Sequence, residues 1–207
     1  MKVSYDKIKK NKLKVSEWAG GKTNQLAIYP LNSSYSNRDF TWRISSATVE
    51  TETSEFTVLD DYNRLLMILE GSIELNHNDT EIVNLNRYDQ TEFDGSNYTV
   101  STGKVRDYNL MLKKDCANGN ISRLMIPEDD DYVYDEIVGF FQEENFTFVI
   151  YCDDFCGEIN IENILHEKVE AGDILVVNFV EDAENFQVKF NSNSNEKTNV
   201  IISEIFY

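Results

Sequence analysis

From Asn24 onward, apolar and polar side chains alternate in short runs and do not recur every three or four positions as a helix would require. "NQLAIYPL" (24–31), "FTWRISSATV" (40–49), "RLLMILEG" (64–71), "SIELNHND" (72–79), "NYTVSTG" (97–103) and "VRDYNLML" (105–112) are rich in branched and aromatic residues. Turn chemistry separates them: Asn32-Ser33-Ser34, Asp60-Asp61, His77-Asn78-Asp79 and Asp94-Gly95-Ser96. Glu70-Gly71 sits between two apolar runs, where glycine permits a bend or bulge. After the polar connection "KKDCANGN" (113–120) a second series follows: "ISRLMI", "DYVYDEIVGFF", "NFTFVIYC", "INIENILHEKVEAGDILVVNF", "NFQVKF" and "TNVIISEIFY". Within it, "GFFQEEN" reads as a short helical turn, and "ENILHEKV" fits either strand or helix. The two series share length and rhythm, so the expected fold is all-β. It consists of two fused β-barrel or jelly-roll units, residues 1–114 and 115–207.

Composition supports strands: only two prolines occur and aromatics make up 12%. Charge separates the halves. Residues 1–114 carry 15 basic and 16 acidic side chains, whereas 115–207 carry 4 and 21, so nearly all of the net charge of −18 lies in the second half. Such a surface repels phosphate backbones, which argues against nucleic acid as a partner. The lysine-rich start is a solvated tail or a contact for something acidic, the chain's own second half included. Five of the six arginines lie in the first half, so an anion would be bound there. No run of about 18 apolar residues is present, which argues against a membrane partner, and the lysines at the start precede no apolar stretch of a secretion signal. With three cysteines, an odd count, a cytoplasmic location is expected.

In a strand, alternate side chains share a face. Phe40, Trp42, Ile44, Ser46 and Thr48 therefore lie on one side of the 40–49 run, and Thr41, Arg43, Ser45, Ala47 and Val49 on the other. Arg64 shares its face with Leu66 and Ile68. A guanidinium among such neighbours either lies at a barrel mouth or loses hydration and needs a carboxylate. Asp39, Glu50 and Asp107 are the internal candidates, and a bound ligand's carboxylate is the alternative. In the ligand reading, Arg43, Arg64 and Arg38 converge on a small carboxylate, the planar guanidinium fork being suited to it. Ser45, Ser101, Asn109 and Trp42 would then set its orientation.

Four blocks, "WAGGKTNQLAIYP" (18–30), "SNRDFTWRISSATVE" (36–50), "SEFTVLDDYNRLLMILEG" (54–71) and "GKVRDYNLM" (103–111), occur in an order that resembles the HutD/Ves family of small bacterial proteins associated with histidine utilisation. The resemblance is dense over residues 16–112 and thin beyond them. It implies a cupin-like fold with two barrels in one chain. It also implies a regulatory role: binding a small anionic metabolite such as N-formylglutamate and so restraining histidine breakdown. Arg38, Trp42, Arg43, Ser45, Arg64, Asp107 and Asn109 occupy motif positions, and they are the expected ligand-binding set. Asp60-Asp61 stands where a proline or glycine is expected before the Arg64 strand.

Catalytic signatures are missing from the sequence. Histidines 77 and 166 are far apart, and the C-x3-C pair Cys152 and Cys156 has only His166 nearby, so neither a metal nor a cofactor is expected. "WAGGKTNQ" lacks the spacing of a phosphate loop. The competing reading is a metal-independent cupin-type enzyme acting on a small carboxylic acid, with Asp107, Glu50 or His77 as its acid or base. An interaction module docking a basic partner through the acidic half is a third, and a homodimer is compatible with all three.

Overall fold

The computed structural model describes residues 2–128, 131–136, 145–180 and 186–207. Among them the chain forms nineteen strands and one 3-10 turn, Lys10–Lys12. The strands are β1 (Lys2–Ile8), β2 (Lys14–Trp18), β3 (Gly21–Tyr29), β4 (Trp42–Val49), β5 (Thr53–Glu55), β6 (Tyr62–Gly71), β7 (Ile73–His77), β8 (Glu81–Leu85), β9 (Gln90–Asp94), β10 (Thr99–Thr102), β11 (Val105–Lys113), β12 (Asn118–Ile126), β13 (Asp131–Glu136), β14 (Phe146–Cys152), β15 (Gly157–Ile161), β16 (Leu165–Val169), β17 (Ile174–Val180), β18 (Phe186–Ser192) and β19 (Thr198–Phe206). The ambiguous "ENILHEKV" stretch resolves as strand in β16, and the helical turn expected at 139–145 lies outside the described residues but for Asn145.

Two compact units result, one spanning Leu13–Asn118 and the other Gly119–Tyr207 together with the residues before Leu13. The first has a six-stranded sheet ordered β2-β3-β4-β11-β6-β9 and a four-stranded sheet ordered β5-β10-β7-β8. The second repeats the plan with β1-β17-β14-β19-β12 and β13-β18-β15-β16. The pairing is antiparallel, as hairpin-rich sandwiches and jelly rolls require.

The first twelve residues depart from the expected boundary of 1–114. β1 runs antiparallel to β17, from Lys2 opposite Val180 to Ile8 opposite Ile174, so the basic start completes the acidic unit. Backbone pairing at a free sheet edge and charge both favour this. Lys7 Nζ approaches Glu167 at 3.2 Å and also donates to the Lys168 carbonyl.

The second unit is built around Phe148, Ile150, Phe155, Phe179 and Phe190, all fully buried. Its Gly172-Asp173 turn is closed by side-chain capping. Asp173 accepts the backbone N–H of Lys10 at 3.0 Å and of Glu170 at 3.2 Å, and Gly172 adopts φ +92°, where a Cβ would be strained. Asp173→Ala is expected to cost about 1–3 kcal/mol, because two backbone donors lose their acceptor. Faster amide exchange along β17, with the first unit's rates unaltered, would show it.

In the first unit one core lies between the sheets and contains Leu66, Ile68, Ile73, Leu75, Phe93 and Val105. A second cluster of Ile28, Phe40, Leu59, Tyr62 and Met111 anchors the 30–41 loop. Tyr62 Oη donates to the carbonyls of Arg38 (2.8 Å) and Phe40 (2.9 Å), fixing the entry into β4.

Candidate functional site

The face of the six-stranded sheet that carries the first core does not stay apolar along its whole length. Met111 of β11 is in register with Arg43 of β4 on one side and Arg64 of β6 on the other, so both arginines lie in one row across three strands. Two residues further along the same face, Asn109 pairs with Ser45, which in turn pairs with Gln25 of β3. These rows open into a cavity of about 510 Å³, lined also by Asp107, Tyr35, Phe56 and Thr57. Its size and its mixture of aromatic walls with a few placed polar groups are those of a small-molecule site.

Arg43 is held by its neighbours. Its Nε donates to Gln25 Oε1 at 3.1 Å and its Nη1 to Ser45 Oγ at 3.0 Å, while Met111 Sδ lies 3.9 Å from Nη1. Its guanidinium sits 4.6 Å from the centre of the Tyr35 ring, which the 30–41 loop brings over it. Burial pulls its pKa below the ordinary arginine value. Arg64 lies between Phe56 (4.6 Å) and Phe93 (5.4 Å), with a long contact of 3.4 Å from Nη1 to the Thr57 carbonyl. Its Nε has no hydrogen-bond partner, and burial brings its pKa down to about 10, so it remains a cation at neutral pH.

Asp107 is buried in the same cavity and accepts the Ala47 N–H at 2.9 Å. Burial pushes its pKa up to about 6, against the opposing pull of that hydrogen bond and of Arg64, Arg106 and Arg43. Among the described residues neither Arg43 nor Arg64 makes an ion pair with it or with any other carboxylate. Asp39, another internal candidate, instead accepts the Ser34 N–H at 2.8 Å within its own loop, and Glu50 is exposed. Among the described residues, then, no carboxylate stands within ion-pair distance of either buried guanidinium, although Asp107 in the same cavity acts on both at longer range.

The expected set divides. Arg43, Ser45, Arg64, Asp107 and Asn109 all line the cavity. Arg38 and Trp42 do not. Arg38 is exposed at φ +54° and contributes its carbonyl to Tyr62, and Trp42 is buried on the opposite face, stacked on Tyr29 at 6.0 Å. Ser101 also lies outside it, donating to the Ser54 carbonyl at 3.1 Å. Gln25, Tyr35 and Phe56 were not singled out from the sequence as ligand-binding residues. Gln25 reaches the site just before an irregularity in the β3 to β4 register, between Gln25 and Ala27, and the aromatics come from connections with no periodicity to read.

No group of three or more His, Cys, Asp or Glu is placed to hold a metal ion among the described residues. His77 is buried with Nδ1 2.8 Å from Thr99 Oγ1, and His166 is exposed and pairs with Glu158 at 3.0 Å. The three cysteines are free thiols, and burial pushes that of Cys152 upward. No helix is long and apolar enough to cross a membrane among the described residues.

The profile of the HutD family matches residues 10–193, most of the chain. The chain belongs to the HutD family. Among solved structures, this HutD protein resembles a conserved protein of unknown function from Pseudomonas aeruginosa, with 18% identity, 98% of each chain covered and a TM-score of 0.78. It also resembles HutD from Pseudomonas fluorescens, with 16% identity, 98% of each chain covered and a TM-score of 0.70. A bacterial pirin from Escherichia coli in complex with nickel(II) shares the fold at 11% identity and a TM-score of 0.63, covering 97% of this chain and 98% of its own. A hazelnut vicilin likewise aligns over 96% of this chain and 84% of its own, at 8% identity and a TM-score of 0.67. These likenesses and the repeated sheet plan make the fold bicupin-like. No curated protein sequence matches the chain.

Proposed function

We propose that this HutD protein is a non-catalytic regulator in the cytoplasm that binds a small anionic metabolite in the cavity of its first unit and thereby tunes histidine utilisation. N-formylglutamate is the first ligand to test. One observation carries the reading: two buried guanidiniums open on the same cavity with no ion-pair partner among the described residues. Buried cations cost several kcal/mol unless an anion meets them, and a ligand carboxylate does so in the bidentate geometry arginine favours.

A ligand that binds only the folded state raises its stability, by about 2.7 kcal/mol at a hundredfold excess over Kd. Both tryptophans, Trp18 and Trp42, lie in the first unit, so their fluorescence reports on the unit that holds the cavity. Millimolar N-formylglutamate is expected to raise the tryptophan-detected melting temperature by several degrees, about 4–8 °C per kcal/mol being typical of a domain this size. A flat response to every acidic intermediate of histidine breakdown would refute the proposal.

Asp107 supports a second reading. A buried carboxyl with a pKa of about 6 beside two cations has the properties of a general acid or base, which suits an enzyme acting on a carboxylic acid. Asp107→Asn separates the two, since an enzyme would lose turnover and a binding protein would keep its anion.

A further inference from the structure

We propose that β2 is a docking strand for a second copy of this chain: two copies pair antiparallel along Lys14–Trp18 about a two-fold axis at Ser16, and each sets its Lys14 at the rim of the other's first-unit cavity. The contact does not depend on what that cavity binds.

β2 ends the six-stranded sheet, and among the described residues it is the one strand whose every residue is exposed. Val15 (53%) and Trp18 (39%) are among these, so apolar surface accompanies the open edge. Only its inner side is taken, by β3. Ala19-Gly20 joins the two strands as a two-residue turn, so Trp18 and Gly21 form the hydrogen-bonded pair beside it, followed at every second position by Ser16 with Thr23 and Lys14 with Gln25. The backbone N–H and C=O of Val15 and Glu17 therefore face outward, and they have no hydrogen-bond partner among the described residues. A row of this kind is a template for another strand. The fold already answers one sheet edge in this way, with β1 along β17.

A second copy fits this edge for two reasons. The strand KVSEW complements itself when Ser16 meets its own counterpart: Lys14 stands opposite the partner's Trp18, an ammonium beside an indole, and Val15 opposite the partner's Glu17. Val15 and the partner's Glu17 then exchange both backbone bonds, so every outward group of the two strands is satisfied. A pairing centred on Glu17 would instead set two carboxylates against each other. Charge is the second reason. Leu13–Asn118 carries 10 basic and 16 acidic side chains, the other unit 9 and 21, so copies that meet through the first unit repel each other less. Lys14, Ser16 and Trp18 line the cavity. Paired residues share a face of the sheet, so the partner's Lys14 lies beside Trp18 on the cavity side and adds an ammonium to the rim.

Five residues a side is a small contact against the roughly 20–30 of a stable interface, so the association is expected to be reversible, with dimer near 1 mM and monomer near 1 μM, both about. Analytical ultracentrifugation of the full chain measures it. Val15→Pro removes an outward N–H and spares the ladder to β3, and it is expected to weaken the dimer about tenfold or more while tryptophan-detected melting shows the first unit folded. Ser16→Cys, in a Cys116→Ser chain that lacks the exposed thiol, tests the register. At the axis the two Cβ atoms are about 4.5–5.5 Å apart, within reach of a disulfide, whereas Glu17→Cys places its thiols on a diagonal of about 7–8 Å. Under mild oxidation Ser16→Cys is expected to cross-link at least about tenfold faster than Glu17→Cys. If Val15→Pro does not fold, the cysteine pair still decides. A parent that stays monomeric at about 1 mM, a dimer that Val15→Pro leaves intact, or equal cross-linking of the two cysteine variants would overturn the proposal.

Discussion

Arg64→Met is expected to abolish the ligand-induced melting shift and yet to leave the unliganded first unit at least as stable as before. The two effects have one origin. Holding Arg64 charged in its buried position lowers its pKa from 12.5 to about 10, which corresponds to a destabilisation on the order of 3 kcal/mol of the cation in the fold. Stacking on Phe56 and Phe93 offsets about 1–2 kcal/mol of it. Methionine fills the space of the arginine stem, suits the aromatic walls and has no charge to desolvate. In the complex the balance reverses, because removing one partner of a buried, hydrogen-bonded charge pair costs about 2–5 kcal/mol, or a loss of affinity of at least about thirtyfold. Isothermal titration and tryptophan-detected unfolding measure both arms. Binding that survives the substitution would mean that the anion does not meet Arg64.

The second large effect belongs to Asp107 and depends on pH. Its pKa is about 6 in the fold, against an ordinary value of 3.8. Below about pH 4 the group is protonated in both folded and unfolded chains and contributes no slope. Between about pH 4 and 6 the unfolded chain gives up its proton while the folded one keeps it, so stability falls as pH rises. Above pH 6 the loss is complete, at about 3 kcal/mol. Asparagine keeps an acceptor for the Ala47 N–H and does not titrate, so Asp107→Asn is expected to lose this slope. The variant's advantage over the parent should grow from near zero at pH 4 to about 3 kcal/mol above pH 6. Taking the difference between the two proteins cancels the many acidic groups they share. Anion affinity of the parent is expected to tighten as pH falls through 6, since a neutral Asp107 no longer repels the ligand. Parallel stability curves for the two proteins would show that Asp107 is not held in its protonated form.

Strand alternation was enough to place Arg43 and Ser45 on one face of β4 and Trp42 on the other, since a pleated strand leaves no third choice. The same rule put Arg64 on the face of Leu66 and Ile68, both of which are in the core between the sheets. Runs and turns likewise sufficed for an all-β chain in two series. Asp107 and Asn109 were legible as an internal carboxylate and an orienting amide from the residues themselves, and the family blocks placed both at motif positions. Arg38 was misleading for a physical reason: it stands in a loop, where no periodicity says which way a side chain points, and the fold uses its backbone carbonyl.

Other features required the tertiary structure, because they depend on which strands lie side by side. That Arg43 and Arg64 share a row follows from Met111 being in register with both, pairings between residues 68 and 47 positions apart that no local pattern states. The exchange of β1 into the sheet of β17 joins residues more than 160 positions apart. Register also decided that Asp107 lies in the arginines' cavity without forming an ion pair with them. The sequence by itself determined the pleat, and with it the face each arginine occupies, because alternation is a property of neighbouring residues. The fold alone decided what stands opposite them, because strand register is set by the whole sheet.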